Sequence, residues 1–362
     1  RGIASAGGTA VLGGVLPSPA VALLADGLGA VVSASHNPPE YNGVKLFAPG
    51  GAKLADADEE EIEALLDADH AGGGVIEQAG GMAERYAALV ADRFGSDLRG
   101  FRIGVDCANG AFSAIAPGVL ERLGAQVVAI GVEPDGSNIN VGCGATDLGL
   151  LRSLVRKRKL DLGLAFDGDG DRLLAVGGGG EVVDGDQILA VIALARRVEV
   201  VAVTTMTNLG FHRLMDEHGI RVVTTDVGDR YVLAALRREG GVLGGEQSGH
   251  VLWLDGHVTG DGLVAALLLL SCLQGRTLVE AAAAMPRFAQ VTENVRVARR
   301  EVPERVAAEV ERVNAELAGR GRVLVRPSGT EPVVRVLAEA EGEGEASGLC
   351  ARIAHLVREE LG

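Results

Sequence analysis

The sequence has few of the residues that build a disulfide framework or a zinc site. Its four cysteines, Cys107, Cys143, Cys272 and Cys350, are widely scattered and form no Cys-x-x-Cys pair. Disulfide scaffolds and structural zinc sites both need cysteines at closely repeated or paired spacings. The sequence therefore disfavours both kinds of site and predicts a reducing, cytoplasmic environment.

Positive charge is also in short supply. The chain has 34 Lys and Arg against 49 Asp and Glu, which gives a net charge of −15. Proteins that bind nucleic acid or anionic membranes need clustered Lys and Arg to contact phosphates. We therefore expect no nucleic-acid or membrane partner. An anionic substrate would have to be bound by local positive groups inside a cleft.

Long hydrophobic runs and a signal-peptide pattern are missing as well. The longest apolar stretch, residues 263–273, covers barely half of the ~20 residues that span a bilayer, and it predicts a buried helix. The chain begins with Arg1 and not with a start methionine. We therefore expect the natural N-terminus to lie further upstream.

What the sequence does have is the composition of a large globular protein. Its 362 residues are 47% hydrophobic and 23% charged, which predicts two to four domains. Strand and helix patterns alternate in three successive stretches, which is typical of α/β domains. After Pro286 the pattern changes to strand, helix, strand, strand and helix, which suits a small α+β domain. The predicted domains are 1–79, 80–183, 184–289 and 290–362.

Within these stretches several elements can be predicted individually. Residues 101–106 should form a strand, followed by a helix over 111–123, and the glycines at 177–180 should form a hairpin turn. The last domain should contain helices over 303–317 and 347–361.

The first polar loop follows the apolar residues 29–32 and reads Ser33-Ala34-Ser35-His36-Asn37-Pro38-Pro39. Ser, Asn and Pro also fill ordinary turns, but Lys45 follows closely and returns a cation toward the serine. A serine hydroxyl is a poor nucleophile unless a base or a metal assists it. Ser35 is therefore a candidate nucleophile, with His36 and Lys45 as candidates for proton handling.

The second loop carries alternating carboxylates and reads Asp167-Gly168-Asp169-Gly170-Asp171-Arg172. The glycines permit a tight turn in which three carboxylates face one hard cation. An EF-hand would need Gly at the sixth loop position and Glu at the twelfth, whereas Arg172 and Gly178 stand there. An aspartyl-phosphate phosphatase usually has Thr or Val where Asp171 stands, which weakens that alternative without excluding it.

Two further loops concentrate hydrogen-bonding groups. One reads Gly244-Gly245-Glu246-Gln247-Ser248-Gly249-His250, and its side chains suit sugar hydroxyls. The other reads Arg326-Pro327-Ser328-Gly329-Thr330-Glu331-Pro332, with Arg335 nearby, and suits a phosphate dianion. A weaker candidate is the segment 224–230. A polar turn remains the alternative interpretation for each loop.

Together, in this order and across the whole chain, the four loops resemble those of the α-D-phosphohexomutase superfamily. The sequence Asn138-Ile139-Asn140, residues 143–147 and Gln247 are similar to the phosphoglucosamine mutase branch of that superfamily. The resemblance implies three similar mixed-sheet α/β domains and a C-terminal α+β domain around a central cleft. It also implies that the chain lacks an initial family segment, so that its first domain is incomplete.

The resemblance further implies an activity and its cofactors. Such enzymes interconvert glucosamine 6-phosphate and glucosamine 1-phosphate for UDP-N-acetylglucosamine and cell-wall synthesis. They act through a phosphoserine and glucosamine 1,6-bisphosphate, which is both intermediate and activator, and they bind one magnesium ion. The expected partner is a sugar phosphate, and the expected assembly is a monomer or a homodimer.

The same resemblance assigns roles to residues of this sequence. Ser35 would carry the phosphate and complete magnesium binding by Asp167, Asp169 and Asp171. Catalysis would also use His36, Lys45 and Arg172. The residues expected to bind substrate are Glu246, Ser248 and His250 for the sugar and Arg326, Ser328, Gly329, Thr330 and Arg335 for the non-reacting phosphate.

Three alternatives for the function stay open at this stage. A phosphomannomutase or phosphoglucomutase would share the catalytic residues and differ in sugar selectivity. A magnesium-dependent phosphatase would release inorganic phosphate without accumulating a bisphosphate. A non-catalytic sugar-phosphate-binding protein would carry no phosphoserine.

Overall fold

The structure is a computed structural model of the chain, and it describes residues 1–38, 40–54, 56–65, 72–273, 275–328 and 332–362. Within these ranges no helix combines the length and the apolar character needed to cross a membrane. All four cysteines are buried and none forms a disulfide.

The N-terminal stretch contains two small sheets. Strand β1 pairs with β4 in parallel, and β2 pairs with β3 in antiparallel fashion. The elements are α1 (Gly2–Ser5), β1 (Thr9–Leu12), α2 (Ser18–Leu24), β2 (Gly29–Ser33), β3 (Gly43–Phe47), α3 (Asp56–Glu63) and β4 (Val75–Gln78). The β2–β3 register sets Ser33 opposite Gly43. The hairpin thereby returns Lys45 toward the loop that carries Ser35.

The next stretch forms a five-stranded mixed sheet in the order β6-β5-β7-β8-β9. Its elements are α4 (Met82–Phe94), β5 (Arg102–Asp106), α5 (Ala116–Arg122), β6 (Gln126–Ile130), α6 (Gly149–Arg158), β7 (Leu162–Phe166), β8 (Leu173–Gly177) and β9 (Val182–Val183). Strands β6, β5 and β7 are parallel to one another. Strand β8 is antiparallel to β7, and β9 is antiparallel to β8. The predicted hairpin at 177–180 is confirmed as the β8–β9 connection. Every residue of β7 is buried, and the aspartate loop follows it directly.

Two helix predictions were wrong by four or five residues at the start of the helix. The helix predicted over 111–123 is α5, which begins only at Ala116 because Pro117 lies in its first turn. Proline has no N–H to donate and is therefore favoured at a helix start and disfavoured in its interior. The last helix begins at Glu343 and not at residue 347, since Glu343 and Glu345 interact favourably with the N-terminal end of the helix dipole.

The third stretch forms a four-stranded sheet in the order β11-β10-β12-β13, with only the β12–β13 pair antiparallel. Its elements are α7 (Gly185–Arg196), β10 (Val200–Thr204), α8 (Leu209–Glu217), β11 (Arg221–Thr225), α9 (Asp229–Glu239), β12 (Leu243–Gly245), β13 (Val251–Trp253), α10 (Gly262–Cys272) and α11 (Leu278–Ala282). The predicted buried helix is confirmed as α10, and Asp261 caps it by accepting from the backbone N–H groups of Leu263 and Val264.

The C-terminal stretch forms an antiparallel sheet in the order β14-β16-β15 with two helices packed against it. Its elements are β14 (Ala289–Arg296), α12 (Glu304–Leu317), β15 (Gly321–Pro327), β16 (Val333–Ala340) and α13 (Glu343–Leu361). Val306, Val336 and Ile353 are fully buried in the core between sheet and helices. The prediction of a small α+β domain is confirmed.

The chain divides into two compact units. The first unit comprises Arg1–Met206 and Ile220–Ala284, and the second comprises Thr207–Gly219 and Met285–Gly362. Helix α8 therefore belongs to the second unit. The Asn208 side chain joins α8 to that unit, because it donates to the Phe288 carbonyl at 3.0 Å and accepts from the Phe288 N–H at 3.1 Å.

Candidate active site

Ser35 lies in a tight turn that follows β2. Its backbone has φ = +54°, a left-handed conformation that few residues other than glycine and asparagine adopt readily. The Ser35 N–H donates to Ser33 Oγ at 2.9 Å, and the Asn37 N–H donates to the Ala34 carbonyl at 2.9 Å. The turn presents the Ser35 hydroxyl to the groups around it.

The three aspartates of the second loop are buried together. Asp167, Asp169 and Asp171 are 0%, 1% and 7% exposed. One carboxylate oxygen from each can be chosen so that all lie within 4.8 Å of one another. Asp167 Oδ1 accepts from the N–H groups of Gly170 and Arg172 at 3.2 and 3.1 Å. The sequence prediction that these carboxylates face one point is confirmed.

The carboxylate oxygens of these aspartates that accept no hydrogen bond fit a metal ion. Asp167 Oδ2, Asp169 Oδ1 and Asp171 Oδ1 are buried and have no hydrogen-bond partner among the described residues. Burial, followed by the charges of Asp171 and Asp169, raises the pKa of Asp167 well above its usual range. Hard oxygen ligands at this spacing suit a divalent cation such as Mg²⁺, which would remove the repulsion between them.

Lys45 supplies positive charge beside both Ser35 and the aspartates. Its Nζ lies 3.3 Å from Ser35 Oγ, 2.5 Å from Asp169 Oδ2 and 3.0 Å from Asp171 Oδ2. Burial alone would lower the pKa of Lys45, but the charges of Asp171 and Asp169 outweigh it and raise the pKa. Lys45 is therefore an ammonium ion in this site.

His36 lies close to the same hydroxyl. Its Nδ1 lies 3.4 Å from Ser35 Oγ. Burial, followed by the positive charge of Arg172, lowers the pKa of His36, which favours the neutral ring. The structure thus brings together Ser35, His36 and Lys45 as the sequence predicts.

Arg172 and His250 connect the aspartate loop to the third loop. The two residues form an isolated antiparallel bridge, and the Leu173 N–H donates to the Gly249 carbonyl at 2.9 Å. His250 is buried, with Nδ1 3.6 Å from Asp171 Oδ1 and Nε2 3.4 Å from Asp229 Oδ2. Burial alone would lower the pKa of His250, but Asp171 outweighs it and the pKa is raised.

Glu246 and Ser248 occupy the same turn as His250. Glu246 Oε1 accepts from the Gly228 N–H at 3.0 Å, and Ser248 Oγ donates to Glu246 Oε2 at 3.3 Å. These bonds hold the carboxylate at the edge of a cleft of about 460 Å³ that Ser35, Lys45 and Arg172 also line. The predicted residues of the first three loops therefore all lie in one part of the first unit.

Two contributors to this site, Ser18 and Lys53, escaped sequence reasoning, and a third, Asp229, was indicated only weakly. Ser18, in the first turn of α2, donates through Oγ to Asp169 Oδ2 at 2.5 Å. Lys53 pairs with Asp229, which opens α9 next to His250. Asp229 lies in the weaker candidate segment 224–230, so that segment was a usable signal. Nothing in the sequence marks Ser18 or Lys53, since neither belongs to a polar cluster.

The fourth loop belongs to the second unit. The β15–β16 register sets Arg326 directly opposite Arg335. Residues directly opposite each other in an antiparallel pair lie on one face of the sheet, so the two guanidinium groups are neighbours, and guanidinium groups suit phosphate oxygens. Ser328 is buried and its N–H donates to the Val333 carbonyl at 2.9 Å. The predicted Gly329 and Thr330 lie outside the described residues.

Family models match successive parts of the chain in a single order. They are the phosphoglucomutase/phosphomannomutase alpha/beta/alpha domains I (residues 1–72), II (84–180) and III (184–288), and the C-terminal domain (293–356) of the same family. A solved phosphoglucomutase/phosphomannomutase family protein from Burkholderia thailandensis superposes with a TM-score of 0.82 at 25% identity, over 98% of this chain and 84% of that one. These matches confirm the predicted multi-domain fold.

Curated relatives are similar over almost the whole chain. Phosphoglucosamine mutase from Saccharopolyspora erythraea is 49% identical over 98% of this chain and 85% of its own length. The enzyme of the same name from Pelotomaculum thermopropionicum is 47% identical over 99% of this chain and 86% of its own length. The resemblance inferred from four loops is thereby confirmed, and the chain belongs to the phosphoglucosamine mutase family.

Proposed function

We propose that this chain interconverts glucosamine 6-phosphate and glucosamine 1-phosphate by phosphoryl transfer through Ser35. The observation that carries the proposal is the Ser35 hydroxyl 3.3 Å from Lys45 Nζ, which in turn contacts two of three buried aspartates. A serine nucleophile needs such nearby charge to react. The choice of sugar is supported by the relatives named phosphoglucosamine mutase.

Asp167, Asp169 and Asp171 are the residues that would hold one magnesium ion, with a phosphate oxygen on Ser35 as a further ligand. When bound, magnesium neutralises the negative charge of the phosphoryl oxygens during transfer.

The reaction consists of two phosphoryl transfers. Phosphorylated Ser35 first gives its phosphoryl group to O1 of glucosamine 6-phosphate. A bond from phosphorus to O1 forms as the bond from phosphorus to Ser35 Oγ breaks, the O1 proton passes to a base, and Ser35 Oγ takes up a proton to become a hydroxyl again. The resulting glucosamine 1,6-bisphosphate reorients. Ser35 then loses its proton and takes the phosphoryl group from O6, which gains a proton as glucosamine 1-phosphate is released.

The residues around Ser35 have separate roles in these transfers. The Lys45 ammonium stabilises negative charge at Ser35 Oγ, from which it lies 3.3 Å away. Arg172 adds a second positive charge at the cleft. His36, at 3.4 Å from Oγ, is the candidate for moving the proton. The sugar hydroxyls are bound by Glu246, Ser248 and His250, which share one turn.

The second unit supplies the groups for the non-reacting phosphate. We assign this role to Arg326, Ser328 and Arg335, together with Gly329 and Thr330 of the same loop. A planar guanidinium can donate two parallel hydrogen bonds to a phosphate, which makes arginine well suited to hold either end of a bisphosphate.

A coupled assay for glucosamine 1-phosphate tests the proposal, with Mg²⁺ and a trace of glucosamine 1,6-bisphosphate present. We expect turnover by the wild type and a loss of at least about 10³-fold for Ser35→Ala, because the proposed acceptor of the phosphoryl group is then removed. Intact mass should show one phosphoryl group on the wild type and none on Ser35→Ala. Ser137→Ala, which removes an exposed loop serine, is the matched control.

Two results would contradict the proposal. Retained turnover by Ser35→Ala would remove Ser35 as nucleophile. Release of inorganic phosphate without glucosamine 1-phosphate would indicate a phosphatase. Parallel assays with mannose 1-phosphate and glucose 1-phosphate separate this function from that of a phosphomannomutase or phosphoglucomutase.

A further inference from the structure

The segment 138–140 is part of the sequence resemblance described above, yet the proposed reaction gives it no role. In the structure Asn140 reaches the turn that carries the nucleophile. Its Nδ2 donates to the Ser35 carbonyl at 2.7 Å and to the Asn37 carbonyl at 3.1 Å. One side-chain amide thus uses both of its N–H groups on the backbone of that turn.

These two bonds complete the hydrogen bonding of a strained turn. Ser35 has φ = +54°, and bonds within the loop already satisfy the N–H groups of Ser35 and Asn37. The carbonyls of the same two residues point to Asn140 instead. Because an L-residue such as serine disfavours the left-handed region, surrounding contacts must hold it there.

Asn140 itself is fixed on the sheet that carries the aspartate loop. Its backbone has φ = +58°, which asparagine tolerates better than most residues, and its N–H donates to the Ala108 carbonyl at 2.9 Å. Ala108 follows β5, and β5 pairs in parallel with β7, which leads into Asp167. Asn140 therefore connects the Ser35 turn to the strand ends that also position the metal ligands.

The Ser35 carbonyl also lies close to the backbone of the aspartate loop. A Cβ atom added at Gly168, between the first two aspartates, would lie 2.5 Å from that carbonyl oxygen. Only glycine allows this approach of the two loops. The Ser35 carbonyl thus lies close to both the backbone at Gly168 and the Asn140 amide.

We propose that Asn140 is a positioning residue that holds Ser35 in its reactive place beside the aspartates. This inference rests on the proposed function, since it takes Ser35 as the group that accepts and donates phosphate. In-line transfer requires close alignment, and a displacement of about 1 Å can lower a rate about 100-fold. Loss of the amide should therefore slow transfer without weakening the metal site.

Two substitutions separate the effect of the Asn140 side-chain amide from the effect of the backbone conformation at that residue. Asn140→Gly keeps a residue that tolerates φ = +58° and removes the side chain. Asn140→Asp keeps the shape and sets a carboxylate against two carbonyl oxygens. Asn138→Ala is the matched control, because the Asn138 amide bonds to the Glu133 carbonyl and the Asp135 N–H and not to the Ser35 turn.

The first measurement is amide hydrogen exchange in a peptide covering residues 33–38 of the unphosphorylated protein. Exchange should rise at least about tenfold in Asn140→Gly and Asn140→Asp and stay at the wild-type rate in Asn138→Ala. This readout does not depend on any activity of the enzyme.

The second measurement is the rate of Ser35 phosphorylation by glucosamine 1,6-bisphosphate, followed by intact mass. We expect a decrease of about 100-fold in both Asn140 variants, with kcat lowered and KM little changed. Mg²⁺ affinity, measured by calorimetric titration, should stay within about twofold of the wild type, because Asn140 contacts no aspartate of the metal loop.

The outcomes separate this inference from the proposed function. Unchanged exchange in Asn140→Gly would overturn the inference, and so would raised exchange with an unchanged phosphorylation rate. A wild type that phosphorylates Ser35 but makes no glucosamine 1-phosphate would contradict the proposed function. The slower phosphorylation of the Asn140 variants would then still support Asn140 as a positioning residue.

Discussion

At the scale of single residues, Ser18 contacts the aspartate loop although it belongs to none of the four polar loops. It is 3% exposed, its Oγ donates to Asp169 Oδ2 at 2.5 Å, and its N–H donates to the Asp169 carbonyl at 2.8 Å. Hydrogen bonds to a metal-binding carboxylate orient it and tune its charge. Ser18 therefore belongs to the support of the metal site although it lies 151 residues away in the chain.

We predict that Ser18→Ala lowers Mg²⁺ affinity about tenfold, because Asp169 loses a hydroxyl that fixes its orientation. Calorimetric titration with Mg²⁺ measures the change directly, and Ser18→Thr should restore affinity to within about threefold since it keeps the hydroxyl. Wild-type affinity in Ser18→Ala would show that the contact has no influence on the metal site.

Residues of the site differ in how far the sequence could predict them. The aspartates of the second loop alternate with glycines, so their chemistry is visible locally. Asn140 was visible only as part of a family motif, and its contact with Ser35 depends on how two loops from different domains meet. Ser18 and Lys53 carry no local signal, because a single serine or lysine has too many ordinary uses.

At the scale of elements, helix α8 shows what periodicity can and cannot reveal. Phe211, Leu214 and Met215 recur at helical spacing and are buried, and the Asn208 side chain caps the helix by accepting from the Gly210 N–H. This spacing indicates a helix, and the observed helix is Leu209–Glu217. An apolar face does not specify its partner, so its place in the second unit was not predictable.

His212 makes the stability of this element depend on pH. Burial, followed by the charge of Arg322, lowers the pKa of His212 from 6.5 to about 4. Its Nε2 is buried and has no hydrogen-bond partner in the part of the chain that the structure describes. Between these two pKa values the unfolded chain binds a proton that the folded chain does not, so stability is lost as pH falls through this window.

We predict that His212 contributes a loss of up to about 3 kcal/mol in unfolding free energy between pH 7 and pH 4. Urea unfolding at several pH values measures the free energy of unfolding. Hydrogen exchange in the peptide covering residues 209–217 reports on α8 itself. His212→Gln should remove this part of the pH dependence. His355→Gln changes an exposed histidine of α13 and should leave the pH dependence of stability unchanged. Identical pH profiles for wild type and His212→Gln would contradict the prediction.

At the scale of the whole molecule, positive charge is scarce and placed where phosphate is expected. The chain carries a net charge of −15, yet Lys45 and Arg172 line the cleft of the first unit. Arg326 and Arg335 face each other across two strands of the second unit. The acidic composition predicts that local positive charge is needed, and the loop motifs predict which residues carry it. Only the strand register shows that Arg326 and Arg335 are directly opposite each other.

The final prediction concerns the second unit, where we expect Arg335→Ala to weaken substrate binding and to spare the metal site. A hydrogen bond to a charged group contributes about 1.5–3 kcal/mol, so KM for glucosamine 6-phosphate should rise about 10- to 100-fold. Mg²⁺ affinity should not change, because the aspartates belong to the first unit.

Steady-state kinetics with and without a Mg²⁺ titration tests this, and Arg299→Ala is the control, since Arg299 is 70% exposed and paired with Glu301. If Arg335→Ala lowered kcat at an unchanged KM, Arg335 would act on the reacting phosphoryl group and not on the distant one.

Because the bisphosphate must present each phosphate in turn to Ser35, the same variant should also let more bisphosphate escape during turnover. Trapping the released bisphosphate during a single round of reaction would measure that loss.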